Sequence, residues 1–178
     1  MPRHRSGRGN ATIEFTLVGI PLVFVLISTI EMARGMWIYH TLAYAVKEGT
    51  RYAVARGQNN TLANHSTYQG VCNAIIQAGA GLIKDDLSLT FQSATQTKSF
   101  PNGNDCLADT DPWPPGATVS KIDDQVGQPI WITGYYPFVS TISMFWPGAG
   151  QGMAFQNLTC NGPFALCLPA ASQDVMQF

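Results

Sequence analysis

The sequence predicts an α+β protein in which a long N-terminal transmembrane helix continues into a head with a second helix and a small antiparallel sheet. Three observations support this fold class. Residues 15–30 are mostly aliphatic or aromatic and contain no charged side chain. Apolar residues then recur at helical spacing beyond this run. Later segments alternate apolar and polar residues, as strands with one solvated face do.

The composition limits the class of protein. Charged residues make up 12% of the 178 residues, against about 25% in average soluble proteins. The apolar fraction of 46% is ordinary, so the deficit of charge is local and lies in the first quarter of the chain. The formal net charge of −1 gives no indication of a nucleic-acid partner.

The apolar segment is long enough to cross a bilayer. As a helix, residues 15–38 would measure about 36 Å, against a hydrocarbon core of about 30 Å. A buried core helix of a soluble protein is disfavoured, because nothing else in the chain is large enough to cover both of its faces. Pro21 would destabilise a soluble helix by about 3 kcal/mol, whereas membrane helices tolerate proline. Glu14 opens the segment, where a carboxylate is either functional or favoured by the helix N-terminus.

The residues before the anchor predict its orientation. Arg3, Arg5 and Arg8 precede it with no acidic residue, and such basic residues concentrate on the cytoplasmic side of membrane helices. We therefore expect a cytoplasmic N-terminus and an extracytoplasmic head. The rival interpretation is a secretory signal peptide, but EMARGMWIYH after the apolar core is a poor cleavage site.

The first helix should continue beyond the anchor to about residue 56, with Gly57 as its stop. One face of this continuation is apolar and needs a partner, which the head can supply. Its members are Ile38, Leu42, Ala45, Val46, Gly49 and Ala53. Charged residues lie opposite, where Glu48 and Arg51 could pair at the surface.

The head shows one further helix and several strands. Ser66 and Gln69 have the spacing of a capping box before a helix that Gly79 and Gly81 close. Alternation predicts strands around Leu87, Leu89 and Phe91 and around Ile130, Ile132 and Tyr136, with another at 153–158. Residues 95–128 are polar and contain three prolines from 112 to 115, so we predict a long loop there.

The N-terminal residues resemble a type IV prepilin cleavage site. Gly9 is followed by four residues and then by Glu14, Phe15 and the apolar run, which is the arrangement of Flp-type pilins and TadE-like pseudopilins. After the anchor, the segment AVKEGTRYA (45–53) is similar to the second half of the TadE-like domain. PIWITGYYPF (129–138) resembles a strand that TadE-like proteins often carry. The likeness is close over residues 9–57 and loose over 129–155.

The resemblance implies a minor pilin or pseudopilin that takes part in assembling the tight-adherence (Flp/Tad) pilus at the bacterial inner membrane. Gly9 and Asn10 would flank the processed bond, and Glu14 and Phe15 would act in assembly. The implied partners are other pilin-like subunits, a prepilin peptidase, the assembly platform and the lipid bilayer. The domains would be a basic leader (1–9), the anchor (10–38) and a pilin-like head (39–178). Neither an enzyme nor a cofactor is implied.

A second function stays open from the sequence. The chain could be an unprocessed single-span protein whose head is a binding module for an envelope partner. The mass of the mature chain distinguishes the two functions, because only a pseudopilin loses nine residues.

All four cysteines lie beyond the anchor, and an even number in an exported domain predicts two disulfides. We favour Cys160 with Cys167, which closes a short loop, and Cys72 with Cys106. Buried free thiols are the alternative. A zinc site is less favoured, because no pair has the C-x2-C spacing.

Other polar groups show no pattern that predicts catalysis or metal binding. Asp105, Asp109 and Asp111 could attract calcium, but EF-hand spacing and its closing Glu are missing, so a solvated acidic loop is favoured. The histidines are His4, His40 and His65, and their separation gives no support to a catalytic set. Gly148, Gly150 and Gly152 lack the strand–turn–helix context of a phosphate loop.

Overall fold

A computed structural model describes residues 8–56, 66–115, 123, 125–140 and 165–177. The helices are α1 (Arg8–Val54), α2 (Tyr68–Ala78) and α3 (Gly103–Ala108), with a 3-10 turn at Lys84–Asp86. The strands are β1 (Ser88–Gln92), β2 (Thr97–Phe100), β3 (Pro129–Val139) and β4 (Ala165–Val175). The predicted α+β class, with a long apolar helix and a small antiparallel sheet, is confirmed.

The four strands form one antiparallel sheet in the order β2-β1-β3-β4. The long strand β3 lies inside the sheet and pairs with β4 from Pro129↔Val175 to Val139↔Ala165. One face of the sheet packs on α1, because α1 contacts both β3 and β4. Side chains alternate along β3, so that Ile130, Ile132 and Tyr136 are buried. The head is therefore built directly on the C-terminal half of α1.

The amphipathic continuation of α1 is confirmed in detail. The six residues predicted to share an apolar face are all buried, and burial along α1 begins at Ile38. Lys47 and Arg51 are exposed, and Glu48 forms the expected surface pair with Arg51 at 3.7 Å.

Helices α1 and α2 pack closely together at Gly49. A Cβ atom on Gly49 would lie 2.8 Å from Cδ1 of Ile75 on α2, and closer still to its Cγ1. Real Cβ atoms do not approach other carbon atoms to such distances. A glycine is therefore needed for α1 and α2 to pack at this separation.

An aromatic cluster fills the core between α2 and the sheet. Tyr68, Phe91, Phe100 and Trp113 pack with ring centroids 5.0 to 6.0 Å apart, mostly edge to face. All four side chains are buried. The cluster joins the start of α2, two strands and the segment after α3 into one core.

Two local predictions for the head were wrong. Thr67, not Ser66, caps α2, because its hydroxyl accepts the Gly70 N–H, while the Ser66 hydroxyl donates to the Trp113 carbonyl. The predicted loop 95–128 contains β2 and α3, which is capped by the Asn102 side chain accepting the Asp105 N–H. The strand β4 had not been predicted, and the strand predicted at 153–158 lies outside the described residues.

Candidate functional site

The residues of the predicted processing and assembly site lie at the start of α1. The helix begins at Arg8, so Gly9 and Asn10 fall in its first turn, where backbone N–H groups have no intrahelical acceptor. Glu14 and Phe15 follow about one turn later, and both side chains are exposed. Asn10 and Glu14 are four residues apart and so share one face of the helix. The backbone of Asn10, where cleavage would create an amine, therefore lies about 6 Å along the axis from that of Glu14, or just over one turn.

The helix between this site and the head exposes apolar side chains on all sides. From Ile13 to Trp37, every large apolar side chain is exposed, and none of the most apolar window is buried by the head. By length and composition it is the one helix of the described residues that could cross a membrane. A core helix of a soluble protein would be buried, so this exposure supports a membrane-anchored protein.

Polar groups inside the apolar half of α1 are satisfied within the helix. The hydroxyls of Thr16, Ser28 and Thr29 donate to carbonyl groups three or four residues earlier, at 2.8 to 3.1 Å. Such bonds remove the need for water as a partner. Pro21 lacks an N–H, so the Leu17 carbonyl loses its usual donor, yet the helix continues through it. This pattern suits a helix surrounded by lipid.

A collar of four residues joins the anchor to the head. Glu31 and Arg34 form an ion pair at 3.5 Å on α1, and the Glu31 side chain is only 12% exposed. The Arg34 guanidinium carbon lies 5.3 Å from the centroid of the Phe138 ring, near the end of β3. A Cβ on Gly35 would lie 3.4 Å from the same ring. The collar therefore joins α1 to the end of β3, two segments whose contact the sequence did not predict.

The disulfides lie in the head, away from the helix start. Cys72 on α2 is bonded to Cys106 on α3, with both residues buried and their Cα atoms 6.2 Å apart. This is one of the pairings that the sequence favoured, and it ties the two helices together. Cys167 on β4 is also disulfide-bonded. Cys160 lies outside the described residues.

A lysine offsets part of the negative charge of the predicted acidic loop. Lys98 on β2 contacts the Asp109 carboxylate and lies 3.6 Å from that of Asp111. Burial opposes ionisation of Asp109, but its hydrogen bonds to Lys98 and to the Asp111 N–H lower its pKa. The same hydrogen bond raises the pKa of Lys98. Burial, with the two carboxylates adding, raises the pKa of the Tyr68 phenol.

The polar groups singled out from the sequence do not form a metal site in the described parts of the chain. Among those residues, no group of three His, Cys, Asp or Glu side chains could hold a metal ion. Asp105 is engaged by Asn102 at the start of α3 and does not join Asp109 and Asp111. His40 packs on Tyr39, while His4, His65 and the glycines at 148, 150 and 152 lie outside the described residues.

An exposed apolar helix with an α+β head built on its C-terminal half supports a membrane-anchored protein, and α1 is the one helix in the described ranges that could cross the membrane. Residues 9–51 match the family model described as TadE-like protein, which confirms the resemblance stated from the sequence. The match begins at Gly9, contains Glu14, Phe15 and the Glu31–Arg34 pair, and ends at Arg51 on the α1 segment that carries the head. No curated protein and no solved structure matches the chain.

Proposed function

We propose that this protein is a minor pilin or pseudopilin that takes part in assembling the tight-adherence pilus. The observation that carries the proposal is the coincidence of three features on one helix. The family match, the Gly9–Glu14–Phe15 motif and the fully exposed apolar stretch all fall on α1. A soluble enzyme needs none of them, and the role we propose is structural, not catalytic.

In this proposal the protein enters the inner membrane with its N-terminus in the cytoplasm. The leader (1–9) stays on the cytoplasmic side, α1 spans the bilayer, and the head faces outwards. A prepilin peptidase cuts after Gly9. The bond lies in the first turn of α1, where opening the backbone breaks few helical hydrogen bonds.

Cleavage changes the charge at the end of the anchor. It removes Arg3, Arg5 and Arg8 and leaves seven basic residues against eleven acidic ones. The helix end thereby loses the positive charges that hold it at the cytoplasmic surface. This loss is a precondition for moving out of the bilayer into a pilus with other pilin-like subunits at the assembly platform.

In this proposal Glu14 acts in assembly after cleavage, when a new N-terminal amine lies near it. A carboxylate in an apolar surrounding needs a cation as its partner. The new ammonium on Asn10, of the same subunit or of a neighbour, supplies it. We therefore expect Glu14→Ala to be processed but to assemble poorly.

The test of the proposal is the mass of the chain in its native membrane. With the peptidase present, the mature protein should begin at Asn10. Gly9→Lys should block the cut by bulk and charge, whereas Gly7→Lys, the same change two residues upstream, should still be cut. For assembly, Glu48→Ala is the matched control for Glu14→Ala, because Glu48 belongs to a surface pair on the head portion of α1. A chain that still begins at Met1 or Pro2 would leave the single-span binding module as the function.

A further inference from the structure

We propose that the end of the sheet formed by Phe138 and Val139 lies in the headgroup region of the bilayer, so that the head rests directly on the membrane. The inference concerns an interaction surface of the head with lipid. It depends on the membrane-anchored role, because the position of the head relative to the bilayer is derived from the number of α1 residues that the hydrocarbon core can hold.

The charged residues of α1 fix where the hydrocarbon core begins and ends. Glu14 is the last charged residue before the apolar run, and Glu31 and Arg34 are the next ones. A hydrocarbon core of about 30 Å needs about 20 helical residues. Counted from Phe15, these end at Arg34, whose long side chain reaches the interface.

The end of strand β3 lies beside the part of α1 at which the hydrocarbon core ends. Strand β3 runs antiparallel to α1, because Gly134 lies against Leu42 and Val46 while Phe138 lies against Gly35. Four residues of strand span about 13 Å, which matches the helical rise between these contacts. The Phe138 ring is thus level with the end of the hydrocarbon core, and no length of α1 separates the head from the bilayer.

The exposed side chains at this level suit the interface. Val139 is 53% exposed at the end of β3, and Trp37 is exposed one turn above Arg34. Trp37 also packs against Gly81, in the segment that follows α2. Tryptophan and tyrosine are enriched at membrane–water interfaces, and Tyr39 is exposed two residues later. Exposed apolar side chains of the anchor and of the head therefore lie at the same level, beside the Glu31–Arg34 pair.

Charge does not select the lipid. Lys84 lies beyond Gly81 on the same end of the head, but Asp85 and Asp86 follow it directly, and Arg34 is paired with Glu31. The basic side chains are therefore offset by carboxylates. We expect contact with zwitterionic and anionic bilayers alike.

The test places a diazirine-bearing amino acid at one position of the full-length protein in phosphatidylcholine vesicles. Val139 is the test position. Val126, which is 58% exposed, is the matched control, because it precedes β3 at the opposite end of the head. Val23, 51% exposed in the middle of the anchor, reports insertion. Thermal unfolding of each labelled protein checks that the head is folded.

After photolysis and mass spectrometry, we expect lipid adducts at 139 and 23 and only background at 126. Lipid adducts at 23 without adducts at 139 would overturn the inference and leave the anchor intact. Cross-links from 139 to a second copy of the chain, in place of lipid, would also overturn it and make this surface a subunit contact. The absence of lipid adducts at 23 would contradict the membrane anchor itself, and with it the proposed function.

Discussion

Replacing Gly49 by alanine should destabilise the head, although alanine is the better helix former. The added Cβ would lie 2.8 Å from Cδ1 of Ile75, and 3.4 Å from Cγ1 of Val71. Overpacking of a tight core costs typically about 1–3 kcal/mol, and the contacts here place Gly49→Ala at the upper end of that range. The gain in helix propensity offsets about 1 kcal/mol of this cost. We therefore expect a net loss of about 2 kcal/mol in the free energy of unfolding.

This loss can be read from the thermal unfolding of the full-length protein in detergent. For a domain of about 150 residues, 2 kcal/mol corresponds to a decrease in Tm of roughly 4–8 °C. Gly19→Ala is the matched control on the same helix. Its added Cβ would meet only the Phe15 ring, at an ordinary distance of 3.8 Å. That variant should leave the Tm of the head unchanged.

A second substitution separates the steric cause from other effects of Gly49→Ala. Ile75→Ala alone leaves a cavity and should cost about 2–5 kcal/mol. In the Gly49→Ala background it should cost less, because the new methyl group occupies part of the vacated space. Additive effects in this double-mutant cycle, or an unchanged Tm in Gly49→Ala, would refute the packing argument.

Three further predictions concern the disulfide, the pH dependence and the topology. Replacing Cys72 and Cys106 together by alanine should cost about 4 kcal/mol, from the loop-closure entropy of their separation in sequence, measured as a lower Tm. Lys98→Gln should be less stable than the unchanged protein at pH 7. This difference should shrink below about pH 4, because a lowered pKa of Asp109 stabilises the folded state only where the carboxyl is ionised, and this contribution is lost as the pH falls below the pKa of Asp109 in the unfolded chain. A periplasmic reporter enzyme fused after Phe178 should be active.

Specific results would contradict these predictions, and the pH prediction has a control variant. A Tm that reducing agent does not lower in the unchanged protein would argue against the disulfide. A raised pKa of Lys98 stabilises the folded state while the lysine is protonated, and this contribution is lost as the pH rises above the pKa of the lysine in the unfolded chain. The difference in stability between Lys98→Gln and the unchanged protein should therefore also shrink above about pH 10.4. Lys47→Gln, on the exposed face of α1, should show no such pH profile. A reporter fusion that is active only in the cytoplasm would reverse the topology.

The periodic parts of the fold could be predicted because one face of each is buried. The apolar face of α1 from Ile38 to Ala53 repeats at helical spacing, and the buried residues of β1 and β3 alternate. The elements that were missed lack such a period. β2 and α3 have only four and six residues. β4 contains Pro169, and a proline within a run lowers the expectation of a strand, although β4 is an edge strand that can hold one.

Contacts between distant segments could not be predicted, because nothing local encodes them. Thr67 caps α2 in place of the predicted Ser66, whose hydroxyl donates to the carbonyl of the distant Trp113. The collar depends in the same way on Phe138, which lies far along the chain from Arg34. The sequence indicated several of the segments that form helices and strands, but it did not indicate which distant segment each of them contacts in the folded chain.

The collar bears on function through the geometry of one long helix. Burial of α1 by the head begins at Ile38, and Glu14 lies about 36 Å further along the helix. A change of about 5° in the angle between α1 and the head would therefore move Glu14 by about 3 Å. The collar contacts at Arg34 and Gly35 extend the contact between α1 and the head by about one turn and so limit such tilting. Pro21 lies between the collar and Glu14, and proline is a common point of bending in helices. The head thus fixes the direction of α1 as far as residue 34, while Pro21 is a position at which the helix could bend between the collar and Glu14.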